Sequence, residues 1–254
     1  MAYTLTNLGK AYGSMPVIQG LSLDFAEGSV TAVLGPSGCG KTSILNILAG
    51  LDRDYTGSLQ GFGTAGAAYV FQEDRLMPWL SAVANVEFVL RPFMNKQRRM
   101  AAAKEALESV GLADSANKLP ELLSGGMRRR VALARAFAFP SDVLLLDEPF
   151  SALDLKTRIS VMDLFLDLRQ RDGRTAIVVT HDVREAIYLG DSIAVLSERP
   201  ARLLGWTEPG LQRTDRGFTS PSAAAVEVKL YETILGSSSS DPARTGSLQE
   251  ARIP

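Results

Sequence analysis

Gly35-Pro36-Ser37-Gly38-Cys39-Gly40-Lys41-Thr42 sets four free positions between a glycine and a Gly-Lys-Thr ending, the spacing of a phosphate-binding loop. Ser29 to Leu34 before it reads as a buried strand, and Ile44, Leu45, Ile47 and Leu48 after it give a helix an apolar face. Strand, loop and helix in that order are the context the motif requires. Its glycines let backbone N–H groups turn inward around phosphate oxygens, and the helix N-terminus adds the positive end of a dipole. Lys41 is placed to reach the β- and γ-phosphates, and the Thr42 hydroxyl to ligate Mg²⁺. Cys39, inside the loop, reads either as a thiol activated by the helix start and Lys41 or as a small inert filler.

Working outward, the chain of 254 residues can bury a real core. Hydrophobic residues make up 46% and charged residues 22%, a globular balance. A net charge of −1 gives no bulk field toward nucleic acid or lipid. The single Cys allows no internal disulfide and suits a reducing compartment. Met1 to Gly9 carries no basic region followed by an apolar run, so no signal peptide is expected. No apolar run approaches the ~20 residues of a membrane helix, so membrane association is expected to go through a partner.

Upstream of the loop, Tyr3 to Leu8 can form an edge strand, and Leu21, Leu23 and Phe25 alternate with Ser22 and Asp24 as a half-buried one. Strands before any helix predict a small antiparallel sheet beside a parallel one. Tyr12 can stack on a nucleotide base or stand in an exposed turn. Gly57, Gly61, Gly63 and Gly66 keep the next strands short, and Ala67 to Phe71 reads as a core strand. Gln72 stands just past its end, where open α/β sheets handle ligands. A Gln there can touch Mg²⁺ and the attacking water, or cap the strand. The following loop carries Trp79 beside Pro78, covering core or touching a partner.

Ala82 to Phe137 is helical in pattern. Ala103, Ala106, Leu107 and Val110 share one face, and Gly111 can close that helix. Ser124 is a good N-cap, yet Gly125 and Gly126 cost the helix roughly 1 kcal/mol each against Ala. Bare N–H groups at a helix start bind anions closely, which is a reason for that cost. Arg128, Arg129 and Arg130 follow as a solvated face or as groups that favour nearby phosphate.

Val143 to Leu146 reads as a buried parallel strand ending in Asp147-Glu148. Two adjacent carboxylates there have separate work: Asp147 on Mg²⁺ through water, Glu148 polarising the attacking water. A helix then runs to about Arg171, with Ile159, Met162, Phe165 and Leu166 inward. Thr175 to Thr180 is another core strand, ending at His181, the one His in the chain. Gln72, Asp147 and His181 thus end three strands on one rim. Ser192 to Leu196 and Arg202 to Trp206 can form a closing hairpin, and Ala223 to Leu235 a helix. Ser237 to Pro254 reads as disordered.

Together these residues resemble the ATP-binding subunit of ABC transporters over residues 3 to 206. The resemblance implies an α/β fold: a P-loop NTPase (RecA-like) core, an antiparallel β lobe and a helical lobe inserted near residues 75–135. It makes 1–235 the ATP-binding domain and 236–254 a disordered tail. In that family Tyr12 would stack on the base. Gly35, Pro36, Ser37, Gly38, Cys39, Gly40, Lys41, Thr42 and Ser43 would bind ATP, and Thr42, Gln72 and Asp147 would hold Mg²⁺. Glu148, His181 and Gln72 would be catalytic. Leu123-Ser124-Gly125-Gly126-Met127 is similar to the family signature, and Ser151 to Asp154 to its D-loop. Ser124, Gly125 and Gly126 would act in trans, across a head-to-tail homodimer.

Four stretches, Phe71 to Trp79, Leu123 to Arg128, Asp147 to Asp154 and Glu198-Arg199-Pro200, resemble bacterial importers of nitrate, sulfonates and taurine. Arg129 departs from the family's usual Gln, and the 57–71 segment is short. The implied partners are integral membrane permease subunits and, through them, a solute-binding protein, but no nucleic acid. The implied place is the cytoplasmic face of the inner membrane, peripherally bound. The alternative is a cytosolic ABC ATPase not tied to transport. The transported solute is not encoded in this chain.

Overall fold

The computed structural model describes residues 3–62 and 66–238. Gly63 lies outside the described residues, as does the tail expected to be disordered from 236 except for residues 236–238, which continue the last helix. Two sheets organise the chain. The first is antiparallel and three-stranded, built from β1 (Tyr3–Tyr12), β2 (Met15–Phe25) and β4 (Thr56–Gln60). The second contains β3 (Val30–Leu34), β5 (Ala68–Val70), β6 (Val143–Asp147), β7 (Thr175–Thr180), β8 (Ser192–Leu196) and β9 (Leu203–Thr207). Its order is β5-β6-β7-β3-β8-β9, parallel except for the last antiparallel pair.

This is the expected α/β architecture with one correction of placement. Tyr3 to Leu8 lies in the middle of the antiparallel sheet, because β1 pairs with β2 on one side and β4 on the other. Alternation marks a strand's buried face but not its number of neighbours. In the other sheet, β5, expected as a core strand, lies at one edge. It nonetheless buries Ala68 and Val70, in one apolar cluster with Leu133 and Ala136 from α4 (Gly125–Ala138).

Every residue of β3, β6, β7 and β8 is buried, as parallel strands covered on both faces require. One face packs on α1 (Lys41–Leu48) and the antiparallel sheet, the other on α4 and α5 (Leu155–Asp172). Ile159 is only half-buried, and Val161 and Leu168 join Met162, Phe165 and Leu166 inside. Gly173 ends α5 with φ 75°, a left-handed turn suited to glycine.

The helical insertion comprises α2 (Ala82–Val89), α3 (Lys96–Ser109) and the start of α4, around a cluster that includes Val86, Ala103, Leu107 and Val110. At the far end, α6 (Val183–Leu189) and α7 (Pro221–Ser238) cover β3 and β8. Among the described residues, no helix is long and apolar enough to cross a membrane. Because β3, β5, β6 and β7 run in one direction, the residues after their ends share one rim.

Candidate active site

Lys41 opens α1 and is almost wholly buried, a costly place for an ammonium unless it is partnered. Its Nζ donates to the carbonyls of Gly35 (2.8 Å) and Pro36 (3.0 Å) and lies 3.4 Å from Glu148 Oε1. The neighbouring Thr42 hydroxyl donates to Asp147, 2.9 Å from Oδ2 and 3.2 Å from Oδ1. Burial pushes the Asp147 carboxyl above its ordinary range, opposed first by the Thr42 hydrogen bond.

Glu148 has φ 41°, in the left-handed region. For a non-glycine residue that costs on the order of 1–3 kcal/mol and persists only where the surroundings enforce it. Here its N–H donates to Val179 O (3.0 Å), and the Ser151 hydroxyl donates to its carbonyl (3.1 Å). The turn aims one carboxylate oxygen at Lys41 and leaves the other, Oε2, 2.9 Å from His181 Nδ1. The ends of β6 and β7 and the phosphate loop are thereby joined side chain to side chain.

A cleft of about 360 Å³ opens over the loop, lined by Ser37, Lys41, Thr42, Gln72 and Glu148 among others. Gln72 is exposed there. Tyr12 lines the same cleft, with its hydroxyl 3.3 Å from Ser43 Oγ and 3.2 Å from Asp52 Oδ2. Lys10 Nζ covers the Tyr12 ring at 4.7 Å from its centre.

Ser124, Gly125 and Gly126 do not line this cleft. Ser124 caps α4 as expected, accepting from Met127 N–H at 3.3 Å. The two glycines differ. A Cβ on Gly126 would stand 2.6 Å from Thr157 Cγ2, whereas one on Gly125 would meet nothing nearer than 3.9 Å. Close packing against α5 accounts for Gly126, and nothing within this chain accounts for Gly125.

Two open readings narrow. Cys39 is buried, and burial pushes its thiol up while Lys41 opposes, so the filler reading holds. The arginines after the signature divide: Arg128 stays part-exposed and donates to Leu123 O at 2.7 Å, whereas Arg129 and Arg130 are held against groups of this chain. Arg129 is buried and donates to the carbonyls of Phe71 and Gln72, while Arg130 reaches Val110 O (3.2 Å) and Ser160 Oγ (3.0 Å).

Sequence reasoning missed two residues. The Tyr69 hydroxyl lies 3.4 Å from Asp147 Oδ2, and strand alternation, which turns Tyr69 away from Ala68 and Val70, was the available signal. Arg199 donates to Gly38 O inside the loop, at 2.6 and 3.2 Å. It sits in the Glu198-Arg199-Pro200 stretch already noted above.

Residues 18–151 match the ABC transporter family. The chain belongs to this family. It is an ATP-binding subunit of ABC type, and an ATPase, with a P-loop NTPase fold. It is 43% identical over 220 residues to the aliphatic sulfonates import ATP-binding protein SsuB 1 of Pseudomonas syringae pv. syringae, covering 87% of this chain and 90% of that protein. It is 45% identical over 200 residues to SsuB 2 of Burkholderia lata, covering 76% and 72%. Among solved structures, the dimeric structure of MJ0796, a bacterial ABC transporter cassette, superimposes with a TM-score of 0.72 at 32% identity. That match covers 81% of this chain and 98% of the cassette. The same cassette in a post-hydrolysis state bound to ADP and Pi gives a TM-score of 0.71 at 31% identity.

Proposed function

We propose that this ABC ATPase powers import of an aliphatic sulfonate or a related small solute, as one of two copies meeting head to tail on a membrane permease. The observation that carries the catalytic half is Glu148 held between Lys41 and His181, beside the Thr42–Asp147 pair. The import half is supported by relatives named for aliphatic sulfonates import. In this reading the permease holds the chain at the cytoplasmic face of the membrane, and a solute-binding protein feeds the permease. Residues 1–235 act as the ATP-binding domain.

ATP enters with its phosphates in the loop from Gly35 to Ser43 and its base against the free face of Tyr12. Lys41 has three donors and exchanges its contacts with Gly35 and Pro36 for phosphate oxygens. The Thr42 hydroxyl and the Asp147 carboxylate are hard oxygen donors set side by side, which fits Mg²⁺. Among the described residues no three His, Cys, Asp or Glu side chains gather as a metal cage. That suits an ion held mainly by phosphates, water and one or two protein oxygens, with Gln72 beside them. When bound, the ion neutralises charge on the β- and γ-phosphates.

Glu148 accepts the proton of the attacking water, and its strained backbone turn fixes where that acceptor sits. His181 holds the second carboxylate oxygen and so sets the plane of the carboxylate. Ser124, Gly125 and Gly126 of the second copy supply backbone donors to the γ-phosphate, where the bare face of Gly125 admits close approach.

The test is growth on an aliphatic sulfonate as sole sulfur source in cells deleted for this chain. The wild-type chain restores growth and Glu148→Gln does not. Deletion without effect on sulfonate uptake contradicts the solute, and rescue by Glu148→Gln contradicts the catalytic role.

A further inference from the structure

Four backbone carbonyls within residues 71–75 are held by two arginines of a single helix. Arg129 donates to Phe71 O at 2.7 Å and to Gln72 O, and its Nε lies 3.2 Å from Asp74 Oδ1. Arg135 donates to Asp74 O at 2.9 Å and to Arg75 O at 2.8 Å. Arg128 adds a looser contact, 3.6 Å from Asp74 Oδ2. All three belong to α4, the helix that Ser124 caps.

The geometry of these contacts is specific. A peptide unit is planar, so holding its carbonyl holds the whole plane. Phe71 O and Gln72 O belong to the two peptide planes on either side of the Gln72 Cα. Fixing both planes fixes φ and ψ of Gln72, and with them the direction of its Cα–Cβ bond. Arg135 does the same for Arg75, whose φ of 43° is left-handed and needs enforcement. The Arg75 guanidinium then lies over the Phe71 ring at 3.9 Å, closing the loop on itself. The two terminal nitrogens of this buried guanidinium of Arg129 find carbonyls, and Nε faces the Asp74 carboxylate at ion-pair distance without a hydrogen bond, so the two carbonyl contacts carry the fork.

We propose that Arg129 is a positioning residue for ATP hydrolysis: it fixes the direction of Gln72 and ties it to the helix that presents Ser124. The loop and the signature helix then move as one piece, so Gln72 and Ser124 reach their places together. The inference rests on the reading of Gln72 as a group that meets Mg²⁺ and the attacking water.

The test compares Arg129→Lys, Arg129→Met and Gln72→Ala in the full chain. Three quantities are measured: ATP affinity, single-turnover hydrolysis at saturating ATP, and the Mg²⁺ concentration for half-maximal rate. Lysine keeps the charge beside Asp74 but cannot form two parallel bonds to neighbouring carbonyls, so Arg129→Lys tests the fork even where Arg129→Met fails to fold. Both variants are expected to hydrolyse about tenfold to 10²-fold more slowly, the scale of a small misplacement near the chemistry. The Mg²⁺ requirement rises in parallel, as it does in Gln72→Ala. ATP affinity stays within about twofold of wild type, because Lys41 and its loop are untouched. A general loss of structure would lower affinity and rate together, without a selective Mg²⁺ effect, and would overturn the proposal. Wild-type rate and Mg²⁺ dependence in Arg129→Lys, with Gln72→Ala impaired, overturn this inference alone. A wild-type Gln72→Ala overturns the reading of Gln72 and the inference with it.

Discussion

Glu148 Oε2 lies 2.9 Å from His181 Nδ1, and the other oxygen of the same carboxylate lies 3.4 Å from Lys41 Nζ. The carboxylate of the residue just after β6 is thus held between the residue after β7 and the first residue of α1.

Glu148→Gln keeps the shape of that bridge but loses the basic oxygen. ATP binding is retained, and hydrolysis falls by on the order of 10²–10⁴, the usual worth of a general base. Single-turnover rates at saturating ATP measure this, and an unchanged rate would remove Glu148 from the catalytic role.

The signature glycines should separate stability from activity. Gly126→Ala forces a Cβ against Thr157 Cγ2, a stiff β-branched neighbour, at a cost of about 1–3 kcal/mol. Thr157→Ser removes that methyl and should restore the melting temperature of the double variant. Gly125→Ala has room, should gain up to ~1 kcal/mol of helix propensity, and should still lose hydrolysis. A Gly125→Ala variant that is as active as wild type would leave that glycine without a reason.

Glu185 in α6 is buried with Oε1 unpartnered, and burial followed by Asp182 pushes its carboxyl up to about 8. Between its ordinary value of 4.5 and about 8 the unfolded chain releases this proton and the folded chain keeps it. The folded state then binds more protons, so stability falls as pH rises through that window. Below it both states are protonated, and no penalty applies. Melting temperature followed from about pH 5 to about pH 8.5 should therefore decline less in Glu185→Gln than in wild type. Parallel curves would contradict the assignment.

Cys39 should react with a neutral thiol reagent at pH 8 at least about tenfold more slowly than a free cysteine, because its thiol is buried and held protonated. Labelling as fast as that of a free cysteine would restore the activated reading.

Much of the site was legible in the residues because it depends on local order. The loop at 35–42 and the polar residues after β5, β6 and β7 follow from strand ends, and strand ends follow from apolar runs. What was not legible depends on tertiary neighbours. Arg129 read as a solvated charge or a phosphate-favouring group, and Arg135 carried no reading, since no local pattern says that an arginine will be held against carbonyls 58 and 61 residues away. The central place of β1 was hidden because alternation does not count neighbours. Gly126 looked like an anion site alone, because the Thr157 methyl that demands it comes from the next helix.

The central claim is that one chain supplies the phosphate loop and a second chain the signature. ATP affinity of the Ser124→Arg variant, measured beside Lys41→Ala under conditions where the chain is monomeric, tests it most directly. Ser124→Arg should bind ATP nearly as wild type does while losing hydrolysis, because within one chain Ser124 does not line the cleft. If Ser124→Arg monomers lose ATP binding as severely as Lys41→Ala monomers, the signature meets nucleotide within its own chain and the head-to-tail arrangement is wrong.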